Sequence, residues 1–352
     1  MQASHEIIIE RNGSAAVIRL NRPRALNSLT LPMVQTMATA LELFAADPSV
    51  TSVVVMGEGE RGFCAGGDIR ALHQSGSTGS GDATSFWAEE FWLNRTIAEY
   101  PKPYVALMDG ITMGGGVGLS AHGSHRIVTE RTRLAMPETG IGYFPDVGTT
   151  WLLPRARGET GTWLALTGLA VGAADAIHAG LADYLLPSTD LANVVDAIGC
   201  LRPGASSADV HATIAARATL PGDGLFAVQA ELIARSFAHD SVEAILAALD
   251  AEAEPFAADS LKAIATRSPT SLKLALRLLR EGGRSSDLSE CLEREYRACR
   301  QILQTPDFYE GIRAAVIDKD RNPQWSPARL DGVSEAEIER YFGVDGARLF
   351  AE

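Results

Sequence analysis

Two carboxylates, Glu138 and Asp146, stand eight residues apart in the stretch Met136-Pro-Glu-Thr-Gly-Ile-Gly-Tyr-Phe-Pro-Asp-Val-Gly148, and a run without side chains, Gly114-Gly-Gly116, lies upstream. A carboxylate can act as an acid or a base, and N–H groups bared by glycine can stabilise an oxygen that becomes anionic. Together they suit acid–base chemistry beside a carbonyl oxygen that becomes an oxyanion or enolate. Gly140, Gly142 and Pro145 argue against a helix between the carboxylates, so the pair is expected on a folded-back loop. Taken singly, either carboxylate reads equally well as a helix cap or a solvated turn residue.

A second glycine turn, Phe63-Cys-Ala-Gly-Gly-Asp-Ile-Arg70, places Gly66 and Gly67 just before a predicted helix. The N–H of Gly67 and one from the Gly114 to Gly116 run can then converge on one oxygen; the alternative is that these glycines only permit tight strand-to-helix packing. A third stretch, Gly57-Glu-Gly-Glu-Arg-Gly62, matches the dinucleotide pattern G-x-G-x-x-G after a strand. Glu58 and Glu60 would repel a pyrophosphate, and helical sequence begins only near Asp68, so it reads as a surface turn. His122 and His125 flank Gly123 with no third ligand nearby, which makes them core or surface histidines, and no metal site is expected.

The elements that must position these groups alternate between β and α. Glu6–Glu10 and Ala16–Leu20 flank the hairpin signal Asn12-Gly13. A helix is expected from Thr30, with Pro32 in its first turn and Val34, Met37, Leu41 and Phe44 on one face. Strands follow at Thr51–Met56, Tyr104–Met108 and His125–Val128, with a helix over Phe86–Tyr100. Ala173–Asp183 reads as a helix stopped by Gly180, before a short strand at Tyr184–Leu186. Prolines and glycines between Leu201 and Leu225 mark a connection, after which the pattern is helical, with Ser268-Pro269 opening one helix. Two regions are expected, an α/β core over 1–200 and a helical region over 201–352 that covers the site or mediates assembly. Loops around Ser75 to Ser85 are candidates for measuring the ligand.

With 352 residues and a net charge of −13, the chain can bury a large core and does not favour nucleic-acid phosphates. A local cluster, with Arg22 and Arg24 as candidates, remains compatible with one anionic small molecule. No apolar run reaches the roughly 18 residues of a membrane span. The start shows no signal or transit pattern, and Cys64, Cys200, Cys291 and Cys299 lack metal or disulfide spacing, so a cytoplasmic protein, or a mature form, with reduced thiols is expected. Cys291 and Cys299 read as packing residues of a helix.

Cys-Ala-Gly-Gly-Asp-Ile-Arg, Gly-Ile-Thr-Met-Gly-Gly-Gly-Val-Gly-Leu-Ser and the Met136–Gly148 stretch resemble the crotonase, or enoyl-CoA hydratase/isomerase, superfamily. Asn21-Arg-Pro-Arg-Ala-Leu-Asn27, Ser268-Pro-Thr-Ser-Leu-Lys273 and Ile317-Asp-Lys-Asp-Arg-Asn-Pro-Gln-Trp325 extend the likeness over most of the chain, closest to its 3-hydroxyacyl-CoA hydrolase branch. The resemblance implies an α/β fold, a spiral of repeated ββα units with a C-terminal helical region. It implies oxyanion donors at Gly67 and Gly115, and coenzyme A contacts at Arg24, Ala25 and Leu26 and around Ala65, Gly66 and Asp68. Substrate positions then fall on Glu90, Gly115, Glu138 and Asp146. Of these Glu90 has the plainest alternative, since a glutamate on a polar helix face is ordinarily solvated.

One departure selects among reactions. Enoyl-CoA hydratases carry a first catalytic glutamate two residues beyond the glycine triplet, where this chain has Gly118. Hydration needs two carboxylates around one water, so the resemblance implies hydrolysis of a short-chain 3-hydroxyacyl-CoA, preferably 3-hydroxyisobutyryl-CoA of valine breakdown. Glu138 would attack the carbonyl or act as base toward water, and Asp146 would hold the 3-hydroxyl or the water. No cofactor beyond the substrate's own coenzyme A is implied, nor a nucleic-acid or membrane partner, and assembly as a trimer or hexamer is the superfamily's habit. A double-bond isomerase or hydratase and a non-catalytic acyl-CoA-binding protein are the alternatives.

Overall fold

A computed structural model describes residues 6–343 and 348–350. In chain order the strands are β1 (Ile7–Asn12), β2 (Ala15–Leu20), β3 (Ser52–Gly57), β4 (Gly62–Cys64), β5 (Tyr104–Met108), β6 (Ile111–Met113), β7 (His125–Val128), β8 (Arg133–Ala135) and β9 (Tyr184–Leu185). Helices α1 (Leu31–Ala46), α2 (Ile69–Thr78), α3 (Asp82–Ala98) and α4 (Gly115–Ala121) are interspersed with them. No strand follows β9 among the described residues. The chain divides into two units that are interleaved in sequence. The first is Met1–Gly67, Trp92–Leu134 and Val171–Leu225; the second is Asp68–Phe91, Ala135–Ala170 and Phe226–Glu352.

The first unit is built on a six-stranded sheet in the order β1-β2-β3-β5-β7-β9. Asn12-Gly13 makes the expected hairpin, with Gly13 at φ +56° and β1 antiparallel to β2. The remaining neighbours are parallel. One face carries Val17, Val54, Val105, Leu107 and Ile127 into a core completed by Val194, Ile198, Val210 and Ile214 from helices Leu191–Gly199 and Ser207–Ala215. Ile18, Val53, Val55 and Ala106 on the other face are buried too, which is why these strands read as continuous apolar runs. A smaller sheet runs β4-β6-β8. Thr30 caps α1 by accepting from the Met33 N–H, with Pro32 in the first turn.

The second unit is mainly helical. Ser268 caps the helix Pro269–Gly282, which buries Leu272, Leu276 and Leu279 as its spacing predicts. Trp87, Tyr143, Phe144 and Phe308 form an aromatic cluster, Trp87 stacking on Tyr143 at 5.8 Å with 10° between planes. The expected loop over Ser75 to Ser85 is mostly helix, since α2 runs to Thr78 and α3 begins at Asp82. Buried Ser75 stabilises this arrangement by accepting from the Ala83 N–H, and Gly79 at φ +66° closes α2 in a left-handed cap. No helix among the described residues is long and apolar enough to cross a membrane.

Candidate active site

In the first unit β4 and β6 run side by side, Cys64 opposite Thr112, so the glycine turns that leave them lie together. A Cβ on Gly116 would sit 2.2 Å from the Cys64 carbonyl oxygen, and one on Gly66 (φ +98°) would meet the Met113 oxygen at 3.3 Å and the Gly115 nitrogen at 3.4 Å. Glycine is therefore what lets these two backbones touch. Gly115 opens α4, and the first N–H groups of a helix have no acceptor within it. Gly118 is buried in the same helix and presents no carboxylate.

The 24–29 segment lies against the first of these turns, with Ala65 N donating to Leu26 O at 3.0 Å and Leu29 N to Gly66 O at 2.8 Å. Arg24, Ala25, Leu26, Ala65, Gly66, Gly67 and Gly115 are thus brought into one region of the first unit. Leu26 and Asn27 adopt left-handed φ of 52° and 56°. The buried Asn27 amide holds that shape, donating to the carbonyls of Glu58 and Gly62 and accepting from Arg22 N. Arg22 itself pairs with Glu6 at 3.0 Å, whereas Arg24 is exposed. Asp68 lies in the second unit at the N-cap of α2. His125 is buried in the first unit with its ring beside Ser124 Oγ and the Ser207 carbonyl, a structural histidine as expected.

The carboxylates belong to the second unit. Glu138 starts a single 3-10 turn, Glu138–Ile141, rather than an extended loop residue, and its carbonyl accepts from Tyr143 N at 3.0 Å. Ser268 N donates to Thr139 O, and a Cβ on Gly142 would fall 2.0 Å from the Asp307 carbonyl oxygen, so the turn is wedged against its surroundings. Asp146 Oδ2 accepts from the Tyr143 hydroxyl at 2.8 Å. Glu90, expected among the substrate positions with a solvated helix face as the alternative, is 2 % exposed, because it falls on the buried stripe of α3 with Phe86, Trp87, Phe91, Asn94 and Ile97. Glu90 Oε1 and Glu138 Oε2 are buried without a hydrogen-bond partner.

Burial, then the charges of Asp146 and Glu138, pushes Glu90 well above the usual carboxylate range. Glu138 is pushed the same way by burial and then by Asp146. Asp146 is raised by burial to about 7, held there against a higher value by the Tyr143 hydrogen bond. Burial and mutual repulsion thus oppose charging all three carboxyls at once, the condition under which one donates and another accepts a proton. Among the described residues no group of three or more His, Cys, Asp and Glu is arranged to hold a metal ion.

Glu295 and Asn94 carry no expectation from the sequence, and Cys299 is expected only to pack. Glu295 is wholly buried and accepts from Gly148 N at 2.7 Å, Thr150 N at 3.1 Å and the Thr150 hydroxyl. It thereby holds the loop in which Val147 takes a left-handed φ of 56°, a costly conformation for a β-branched residue. Cys299 is more than packing, since its thiol lies 2.8 Å from the Tyr143 hydroxyl. Asn94, one turn beyond Glu90, is fully buried with neither amide atom partnered. The signal was a polar residue on an apolar stripe: Glu295 sits among Cys291, Leu292, Ala298, Cys299 and Ile302.

A family described as enoyl-CoA hydratase/isomerase matches residues 15–342. The chain is 43% identical over 345 residues to the mitochondrial 3-hydroxyisobutyryl-CoA hydrolase of Danio rerio, covering 97% of this chain and 90% of that one. It is 40% identical to the Homo sapiens protein of the same name, covering 97% and 89%. Among solved structures it is similar to a carnitinyl-CoA dehydratase from Mycobacterium thermoresistibile, with TM-score 0.93, 42% identity and 99% of each chain covered. An enoyl-CoA hydratase from Rhodobacter sphaeroides superposes with TM-score 0.88 at 41% identity, covering 96% and 97%. The expectation of a cytoplasmic protein is overturned by the hydrolases, which are mitochondrial. Acidic charge and reduced thiols are properties of any reducing aqueous compartment and do not separate one from another.

Proposed function

Because the chain belongs to the enoyl-CoA hydratase/isomerase family, we propose that it hydrolyses a short-chain 3-hydroxyacyl-CoA thioester, 3-hydroxyisobutyryl-CoA in valine breakdown. The observation that carries this reading is the buried carboxyl cluster of Glu138, Asp146 and Glu90, two of whose oxygens have no partner, in a chain whose position 118 supplies no carboxylate. Leaving a buried acceptor unpaired costs about 1–3 kcal/mol, so these oxygens are best explained as places for substrate or water. The identity to hydrolases over nearly the whole chain supports the same reading.

In this mechanism the N–H groups of Gly67 and Gly115 hold the thioester oxygen, each lowering the barrier by about 3 kcal/mol as charge develops. The segment Arg24–Leu26 lies along the adenosine part of coenzyme A. Glu138 passes its proton to Asp146 and, as a carboxylate, attacks the acyl carbon. The C–S bond breaks, and the departing thiolate takes the proton from Asp146. Water then opens the resulting anhydride, giving up a proton to Asp146, and the acid is released as Glu138 is regenerated. No cofactor is needed beyond the coenzyme A of the substrate.

Glu138→Gln is expected to lower thiol release from 3-hydroxyisobutyryl-CoA by about a thousandfold. Undiminished release by a folded Glu138→Gln protein would remove Glu138 from the mechanism. Single turnover in oxygen-18 water should label Glu138; label confined to the product would replace the anhydride with direct attack by water. Loss of enoyl absorbance without free thiol would turn the reading toward a hydratase or isomerase.

A further inference from the structure

We propose that Tyr143, backed by the Cys299 thiol, is a positioning residue that decides which carboxyl of the cluster carries the negative charge, assigning it to Asp146. The consequence for turnover rests on the hydrolase reading, whereas the charge assignment concerns the free protein. Tyr143 donates its hydroxyl proton to Asp146 Oδ2 at 2.8 Å. The Cys299 thiol lies 2.8 Å from the same hydroxyl, and with the phenol's one proton turned to Asp146 the thiol is the group that donates to the phenolic oxygen. A chain of donors then runs from Sγ–H through O–H to the carboxylate, each bond polarising the next.

Glu138 Oε2 and Glu90 Oε1 receive no donor, and the hydrogen bond that the Glu138 carboxyl does accept comes from its own backbone. Hydrogen bonds to a carboxylate favour its charged form, and burial without them favours the neutral acid. The titratable groups that face Asp146 are Glu138 on its own loop, Glu90 on α3, Glu295 and Cys299 on the helix Leu288–Ile302, and Tyr143. None is cationic, so the two-donor chain does what an ion pair does elsewhere. Its geometry is fixed by packing: the Tyr143 ring is stacked between Trp87 at 5.8 Å and Phe144 at 4.6 Å. The Tyr143 backbone also donates to the Glu138 carbonyl, so one residue holds both partners of the proton exchange.

Tyr143→Phe keeps the stacked ring and deletes the hydroxyl. In the free protein, infrared titration of the carboxyl bands should place the first ionisation about one pH unit above that of the wild type. The acid limb of kcat/KM should move the same way. Cys299→Ala should move both less, and Cys299→Ser, which keeps a donor, should restore them. An unmoved titration in a Tyr143→Phe protein of wild-type melting temperature overturns the proposal, as does a rate lowered equally at every pH. If Tyr143→Phe folds poorly, identical titrations of Cys299→Ala and Cys299→Ser overturn it instead. A shifted titration in a protein whose wild type releases no thiol would remove the hydrolase reading and leave the charge assignment standing.

Discussion

Glu295 and Glu138 are both buried carboxylates of the second unit, and burial pushes both above the usual range. Their surroundings differ in one respect. Glu295 receives two backbone N–H groups and a hydroxyl, whereas Glu138 keeps an oxygen with nothing to accept. The first arrangement fastens the loop Asp146–Thr150; the second leaves capacity for a ligand. Burial or a raised pKa alone therefore does not mark a reactive carboxylate in this molecule, and the count of donors does.

The largest expected separation is between the activity and stability of Glu138→Gln. Thiol release should fall about a thousandfold while the thermal midpoint hardly drops, because Oε2 has no internal partner to lose and an amide oxygen can still accept from the residue's own backbone. A midpoint well below wild type would erase the contrast with Glu295. The reverse is expected of Glu295→Ala, which strands the Gly148 and Thr150 N–H groups and the Thr150 hydroxyl. At about 1–3 kcal/mol for each unpaired group, urea unfolding should show a loss of several kcal/mol. An unchanged urea midpoint would mean that water replaces the carboxylate at no cost.

A smaller effect is expected from pH. Asp146 is raised from 3.8 to about 7 and Glu295 from 4.5 to about 8. The folded protein thus keeps protons that the unfolded chain releases above about pH 4. This contribution to stability is fully present below the unfolded values and is lost as pH rises through about 7 and 8. Urea midpoints measured between pH 5 and pH 9 should fall with rising pH, and Glu295→Gln should flatten the upper part of the fall. A rising series would contradict the raised values. The smallest effect is that of Asn94→Leu, similar in volume, which removes two unpartnered amide atoms and should leave the melting temperature equal or higher. A clear drop would show that Asn94 is satisfied by internal water and belongs with Glu295.

Much of this architecture was legible in the residues. Asn12-Gly13 specified a hairpin, Thr30 with Pro32 and Ser268 with Pro269 specified helix starts, and Val53 to Val55 specified a strand buried on both faces. Those signals act over a few residues, through backbone dihedrals and periodicity, so they survive without knowledge of the rest of the chain. The glycine turns and Glu138 with Asp146 were visible for the same reason, as was the missing carboxylate at Gly118. For Glu90 the sequence left a solvated helix face open as the alternative, because one polar residue looks solvated until its stripe is counted.

The partners of the carboxylates were settled only by tertiary structure. Cys299 reaches Tyr143 across 156 positions, and Glu295 reaches Gly148 across 147. The sequence places both carboxylates in one stretch and leaves their protonation open, because a carboxyl group's charge depends on its burial and on the number of donors the fold brings to its oxygens. That number is a property of neighbours in space. Here it makes Glu295 a fastening, Asp146 the expected seat of the charge, and Glu138 the acid with an oxygen still free.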